Sequence, residues 1–174
     1  MASKTALRLT VPAAALALVL SACSGTAPSD DATQANLETA AAAADPEDTI
    51  EAREDNFKAI AKSMKAVKAE LDADSPDFAV ISENASQMAA NAKKVPDLFP
   101  AGTGPDSGEK TEALATIWER PDDFKAATAK LINATDSLSQ AAGAQDLAAV
   151  KTAFGETGAA CKGCHEQFRM EKKD

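Results

Sequence analysis

Two thiols and the only imidazole of the chain lie within five consecutive residues near its C-terminus. The stretch CKGCHEQFR at 161–169 holds Cys161, Cys164 and His165, and the 174 residues contain three cysteines and one histidine in all. In the spacing Cys-x-x-Cys-His, two thiols can add to the two vinyl groups of a haem, and the adjacent imidazole then reaches the iron from one side. We therefore predict one covalent haem c, held by Cys161 and Cys164, with His165 as the proximal iron ligand.

Two other uses of such a cluster fit the sequence less well. A thioredoxin-type redox pair would follow a strand, whereas a long helical pattern precedes Cys161. A structural zinc site needs four ligands, and two cysteines with one histidine leave it one ligand short. Covalent haem is attached outside the cytoplasm, so this interpretation also predicts an export signal.

The N-terminus has the order of a secretory signal. Lys4 and Arg8 precede the apolar run VPAAALALVL, which is short for a membrane span, and small residues follow. The stretch LSAC at 20–23 resembles a bacterial lipobox. We predict a lipoprotein signal peptide over residues 1–22 and a lipid anchor on Cys23; the alternative is an ordinary signal peptide in which Cys23 has no role.

Residues 23–45 are small and polar and have too little apolar surface to offset the entropy of folding. They are predicted to be a flexible tether between a membrane and a domain over residues 46–174. The expected location is the periplasm of a Gram-negative-type bacterium. The formal net charge of −9 argues against a nucleic-acid partner, because phosphate binding needs a basic surface.

Apolar residues recur every three or four positions in four segments of this domain, which indicates amphipathic helices. The fold class expected from them is all-α, an antiparallel four-helix bundle. Both cysteines are expected on the inward face of the last helix. In the long connection 96–120, Phe99, Ile117 and Trp118 are expected to fold back onto the core. The predicted helix starts are Asp45, Ser75, Pro121 and Asp146, with the third helix stopped by Gly143.

The position of the haem motif on the last helix, together with four other stretches, resembles the cytochrome c′ family, the class II c-type cytochromes. These stretches are MKAVKAEL at 64–71, LFPAGTG at 98–104, IWERPDDF at 117–124 and AVKTAFGETGAACKGCHEQFR at 149–169. The resemblance covers about residues 46–171. It implies a haem-bearing four-helix bundle, often a homodimer, in which many members have five-coordinate iron that binds NO or CO.

The residue opposite His165 decides between gas binding and electron transfer. In the family this residue lies on the first helix, four positions after an arginine, which corresponds here to Arg53 followed by Phe57. The resemblance implies that Phe57 leaves the iron five-coordinate, whereas low-spin relatives carry a methionine ligand there. Met64 is interpreted as a packing residue against the haem site, and Met88 and Met170 are weaker candidates for a sixth ligand.

Arginines and aromatic residues complete the predicted site. Arg53 shares the inward face of its helix with Phe57, and a buried guanidinium needs an anionic partner, for which we propose a haem propionate. The alternatives are a protein carboxylate or exposure at the end of the bundle. Arg169 either tunes the imidazole side of the iron or is a solvated charge at the helix end. Haem-wall or plain core roles remain open for Phe99, Trp118 and Phe168.

Two functional classes follow from these residues. The first is a binder of a diatomic gas, NO or CO, and the alternative is a membrane-tethered electron carrier whose acidic surface attracts a basic redox protein. An enzymatic role as a weak NO reductase or peroxidase ranks last, because no polar residue is evident at the distal position for proton transfer. The protein is therefore expected not to be an enzyme.

Overall fold

The computed structural model describes residues 45–171 of the chain. The predicted signal peptide 1–22, Cys23 and the predicted tether up to residue 44 lie outside the described residues. Within the described part, no helix combines the length and the apolar character that crossing a bilayer requires.

Four long helices form an antiparallel bundle, and the described residues contain no strand. Two single turns of 3₁₀ helix, Val95–Leu98 and Pro105–Ser107, and the short helix α3 lie in the long connection. The all-α bundle that the sequence predicts is therefore confirmed. The α-helices are α1 (Pro46–Asp72), α2 (Phe78–Ala92), α3 (Thr116–Glu119), α4 (Pro121–Gly143) and α5 (Leu147–Phe168).

Local signals set three of the four predicted starts. The Asp45 carboxylate accepts a hydrogen bond from the Glu47 amide at 3.0 Å, and the Asp146 carboxylate accepts one from the Ala149 amide at 3.0 Å. Each carboxylate satisfies an amide that would otherwise lack a partner in the first turn. Pro121 begins α4, where its missing N–H costs nothing.

The predicted start of α2 is wrong by two residues. Its cap is Asp77, not Ser75, because the Asp77 carboxylate accepts from the Ala79 amide at 2.8 Å. The backbone N–H of Asp77 is itself held by the Glu70 carboxylate at 2.9 Å. That contact comes from α1 and is invisible to a local reading of the sequence.

The predicted end of α4 at Gly143 is confirmed. Gly143 is the last helical residue, and the left-handed conformation falls on Gln145, with φ of 57°. The amides of Gln145 and Asp146 donate to the carbonyls of Ala142 and Ala141, which satisfies the last carbonyls of the helix. The chain therefore reverses two residues after the glycine.

The helices pack in the order α1 on α2, α2 on α4, and α4 on α5. The backbones of α1 and α5 make no comparable contact with each other. The side of the bundle between α1 and α5 is thus held together by side chains and not by close helix packing.

The buried face of α1 agrees in part with the inward face predicted from Arg53 and Phe57, because Arg53 is buried and Phe57 is not. Phe57, Met64 and Leu71 are only half-buried and form one stripe at seven-residue spacing. Buried instead are two polar residues, whose side chains find partners on α2: Asn56 donates to the Asn91 carbonyl, and Ser63 lies 3.5 Å from Gln87 Oε1. The buried positions of α1 are Ile50, Arg53, Asn56, Ile60, Ser63 and Val67.

The cysteines of α5 lie beside its most buried positions. The buried positions around them are Val150, Ala153 and Thr157, whereas Cys161 and Cys164 are half-buried at the edge of the core. The two thiols, which were expected on the inward face, therefore pack against the core from its margin and are not enclosed by it. The physical reason is that α5 turns its most buried face to α4, which leaves the thiols at its flank.

The long connection folds back onto the core as predicted. Ile117 is buried, while Phe99 and Trp118 pack against the core from its edge. The Trp118 indole N–H donates to the carbonyls of Phe99 and Pro100. A Cβ at Gly104 would lie 2.8 Å from the Trp118 ring, so only glycine permits this close approach.

Candidate functional site

Cys161 and Cys164 lie one turn apart on α5 and are not joined by a disulfide. Burial raises the pKa of the Cys161 thiol, and burial together with the neighbouring Cys161 raises the pKa of Cys164 to about 11. Both side chains are therefore neutral thiols at pH 7. A redox-active cysteine needs a lowered pKa, so this pair lacks the property on which thioredoxin-type chemistry depends.

His165 follows Cys164 directly and reaches solvent. Partial burial of its imidazole lowers its pKa, the positive charge of Arg169 lowers it further, and the Glu112 carboxylate opposes both. The ring is therefore neutral at pH 7 and offers a nitrogen lone pair to a metal. Among residues 45–171, no group of three or more His, Cys, Asp or Glu side chains is placed to hold a metal ion by itself.

The register of α1 and α5 indicates that Phe57 and His165 lie at a similar height along the two helices. A Cβ at Gly158 would be 3.8 Å from the Met64 methyl group, which sets the antiparallel register of the two helices. Phe57 precedes Met64 by seven residues, and His165 follows Gly158 by seven. Because the two helices are antiparallel and rise by the same amount per residue, both steps lead in the same direction along the bundle. The register thus relates the predicted distal residue to the predicted proximal ligand by height along the helices, and the roles of both residues stay predictions.

Arg53 is buried, with 4% of its surface exposed. Nε donates to the Leu98 carbonyl at 2.9 Å, Nη2 donates to Thr103 Oγ1 at 2.6 Å and to its carbonyl at 3.2 Å, and Nη1 donates to Thr111 Oγ1 at 3.3 Å. Burial lowers its pKa to about 10. Neither alternative in the sequence analysis holds, because Arg53 does not emerge at the bundle end and none of these partners is a carboxylate.

An aromatic chain runs from the α1 side of the gap into the core. The Arg53 guanidinium lies 4.1 Å from the Phe99 ring centroid, an arrangement that favours a buried cation. Phe99 and Trp118 are half-buried at the edge of the core, whereas Phe168 is buried within it. The ring-centroid distances are 6.4 Å for Phe57–Phe99, 6.2 Å for Phe99–Trp118, 4.8 Å for Phe99–Phe124 and 5.3 Å for Phe124–Phe168.

The three methionines considered as iron ligands lie in different environments. Met64 is half-buried and points at Gly158 of α5. Met88 is fully buried on α2, and Met170 is the exposed one, at 49%. Of the three, only Met64 faces the gap between α1 and α5.

Arg169 lies just beyond α5 and is paired with Glu112. Its Nε and Nη2 both donate to Glu112 Oε2, at 2.8 and 2.6 Å. Sequence reasoning missed Glu112, because nothing in the polar stretch PDSGEKTEAL at 105–114 distinguishes one acidic residue from the others. The partners of Arg53, Thr103 and Thr111, were missed for the same reason.

Comparison with known proteins places this arrangement in a family. A family model described as cytochrome c′ matches residues 48–169. The chain belongs to the cytochrome c′ family. The resemblance found in the sequence is thus confirmed over most of the described domain.

Individual members of the cytochrome c′ family match closely. Cytochrome c′ of Pararhodospirillum photometricum is 40% identical over 126 residues, which cover 72% of this chain and 99% of that protein. The crystal structure of cytochrome c′ from Rubrivivax gelatinosus has a TM-score of 0.67 at 38% identity, covering 72% and 98% of the two chains. The nitric oxide complex of a point mutant of cytochrome c′ from Alcaligenes xylosoxidans has a TM-score of 0.67 at 29% identity, covering 74% and 98%.

The described residues of this cytochrome c′ family member fit a c-type haem. Two neutral thiols one helical turn apart stand next to a neutral imidazole. Half-buried apolar side chains from α1 and α5 border a gap that the helix backbones do not close. A buried guanidinium near this gap has only neutral oxygens as its hydrogen-bond partners, so it can also accept an anion.

Proposed function

We propose that this chain is an exported c-type haem protein that binds a diatomic gas, NO or CO, at a five-coordinate iron. The feature that carries the proposal is the similar height of Phe57 and His165 along α1 and α5, as the register at Met64 and Gly158 indicates it. Phe57 has no atom that can coordinate a metal, and the chain has no second histidine. An apolar side chain at this point supports an axial position that the protein leaves without a ligand.

Each residue has a defined task in this proposal. Cys161 and Cys164 would hold the haem through thioethers, and the His165 imidazole would be the protein's ligand to its iron. When bound, the haem would supply an iron that can bind a small gas. Phe57, supported edge-on by Phe99, restricts the space on that side.

The same residues argue against an enzymatic role. Phe57 and Met64 are α1 side chains that border the gap, and neither can donate or accept a proton in catalysis. Arg53 is held by the connection between α2 and α4 through four hydrogen bonds. We therefore propose binding without turnover.

A membrane-tethered electron carrier is the second candidate, and one observation favours it. The Met64 side chain faces α5, and a thioether is a common sixth ligand in electron-transfer cytochromes. In that case the iron would be closed to gases.

The visible spectrum of the isolated protein separates the two candidates. For gas binding, we expect a high-spin spectrum that shifts when CO or NO is added. A low-spin spectrum that CO leaves unchanged would contradict gas binding and support the carrier. His165→Ala serves as the control for the proximal ligand, because its covalent haem should remain while its spectrum changes.

We further propose that the mature protein is lipid-anchored through Cys23 in the periplasm. The support is the LSAC stretch and the polar segment that follows it. Cys23→Ser should move the protein from the membrane fraction to the soluble fraction, or block processing of the signal. A wild-type protein that is soluble, carries no lipid and begins at another residue would contradict the anchor.

A further inference from the structure

The segment just after the haem motif is hydrogen-bonded to residues 112–116 of the long connection. The Leu114 amide donates to the Phe168 carbonyl at 3.0 Å, and the Met170 amide donates to the Glu112 carbonyl at 2.8 Å. These bonds make an isolated antiparallel bridge between Ala113 and Arg169. The end of α5 is thus attached to a second part of the chain and does not simply fray.

The side chains of Glu112 and Arg169 reinforce this bridge. Both Arg169 donors converge on a single Glu112 oxygen at 2.6 and 2.8 Å, the short range of charge-assisted hydrogen bonds. The pair is partly exposed, with 38% and 46% of the two side chains accessible. An ion pair at such a site is worth little alone, and its effect here depends on the bridge that it closes.

The bridge is next to the helical turn that contains His165. The backbone N–H of Arg169 donates to the His165 carbonyl at 3.1 Å, which forms the last turn of α5. Thr116 Oγ1 also donates to the carbonyl of Gln167, two residues before Arg169, at 2.9 Å. Residues 112–116 therefore hydrogen-bond to the residues that directly follow His165.

The two charges also act on the site with opposite sign. Arg169 follows His165 by one helical turn, and its guanidinium donates to the Glu112 carboxylate at 2.6 and 2.8 Å. Paired, the two groups present nearly balanced charge at the end of α5. Loss of either one leaves the other charge uncompensated there.

We infer that Glu112 is a positioning residue for the haem site: through its ion pair with Arg169 it holds the last turn of α5, and with it His165, and it balances the Arg169 charge. This inference rests on the proposed function, in which His165 is the iron ligand. It assigns a role to a residue 53 positions away from that ligand in the chain.

Hydrogen exchange tests the holding role in the purified full-length protein. In Glu112→Gln, peptides that span residues 166–171 should exchange about two- to fivefold faster, as loss of a partly exposed ion pair would produce. Glu109→Gln is the matched control, since it makes the same charge change three residues earlier, and it should leave this exchange unchanged. Glu112→Gln should add nothing further in an Arg169→Gln background, because Glu112 acts through Arg169.

The midpoint potential of the haem tests the charge role and separates it from simple loosening. Glu112→Gln leaves the Arg169 cation uncompensated and should raise the potential, whereas Arg169→Gln should lower it. If the two substitutions only loosened the last turn of α5, both would shift the midpoint potential in the same direction. Glu112→Asp should recover part of the wild-type exchange and potential.

Two results would overturn the inference. One is equal exchange in Glu112→Gln and Glu109→Gln, and the other is a Glu112→Gln effect that persists undiminished when Arg169 is already replaced. The exchange measurement does not depend on the haem, so failure of the proposed function, seen as missing covalent haem or loss of His165 ligation, is distinguishable from failure of the inference.

Discussion

Replacing both Cys161 and Cys164 by alanine should reduce the covalent haem content from one per chain to none. A thioether survives acid–acetone extraction, whereas a haem held only by an axial imidazole and apolar contacts is extracted. Intact mass after extraction measures the difference directly. Each single substitution should keep one thioether and therefore still retain the haem.

The helical bundle itself should survive the double substitution. Both cysteines are half-buried at the edge of the core, so truncation removes few packing contacts. Far-ultraviolet circular dichroism of the variant checks this point. Cys23→Ser is the matched control, because it removes the remaining cysteine and should leave the covalent haem intact. A double variant that still carries haem after extraction would refute the attachment.

Substitution of Phe57 should have the largest effect on the chemistry of the iron. Phe57→Ala removes a ring at a similar height to His165 along the helices, so CO should bind faster and more tightly. Because Phe57 is half-buried, the free energy of unfolding should fall by about 1–3 kcal/mol, less than truncation of a fully buried phenylalanine costs. Stopped-flow mixing with CO and denaturant unfolding measure the two effects.

Phe57→Met is the sharper variant of the same test. It places a thioether at a similar height to His165, where it can coordinate the iron and convert a high-spin spectrum to a low-spin one. Met64→Leu is the control, since Met64 is assigned to packing and its loss should leave the spectrum unchanged. If Met64→Leu instead converts a low-spin spectrum to high-spin, Met64 is the sixth ligand and the electron-carrier proposal replaces gas binding.

The features that the sequence predicts correctly are those that depend on neighbours in the chain. The haem motif CKGCH also lies within five residues, and the covalent haem that it predicts stays a prediction. The starts at Asp45 and Asp146 follow because a capping carboxylate reaches amides only two or three residues ahead. Alternation of apolar residues at three and four positions likewise identifies four helices before their packing is known.

Tertiary structure alone decided which flank of each helix borders the site. Periodicity places Phe57 and Met64 near the inward face of α1 but does not say which neighbour they meet. The close packing of α1 on α2 takes Asn56 and Ser63 into the interior, while Phe57 and Met64 are only half-buried and Met64 faces Gly158 of α5. In α5, the most buried face turns to α4, which leaves the two thiols at the edge of the core.

Partners distant in the chain were equally beyond the sequence. A buried Arg53 predicts oxygen atoms around it, yet only the folded connection shows that these are Leu98, Thr103 and Thr111. Glu112 is one acid among many until the bridge to Arg169 brings it to the end of α5. The residue types near the haem motif can be read from the sequence. The contacts near His165 depend on residues 112–116, which only the folded chain brings to the end of α5.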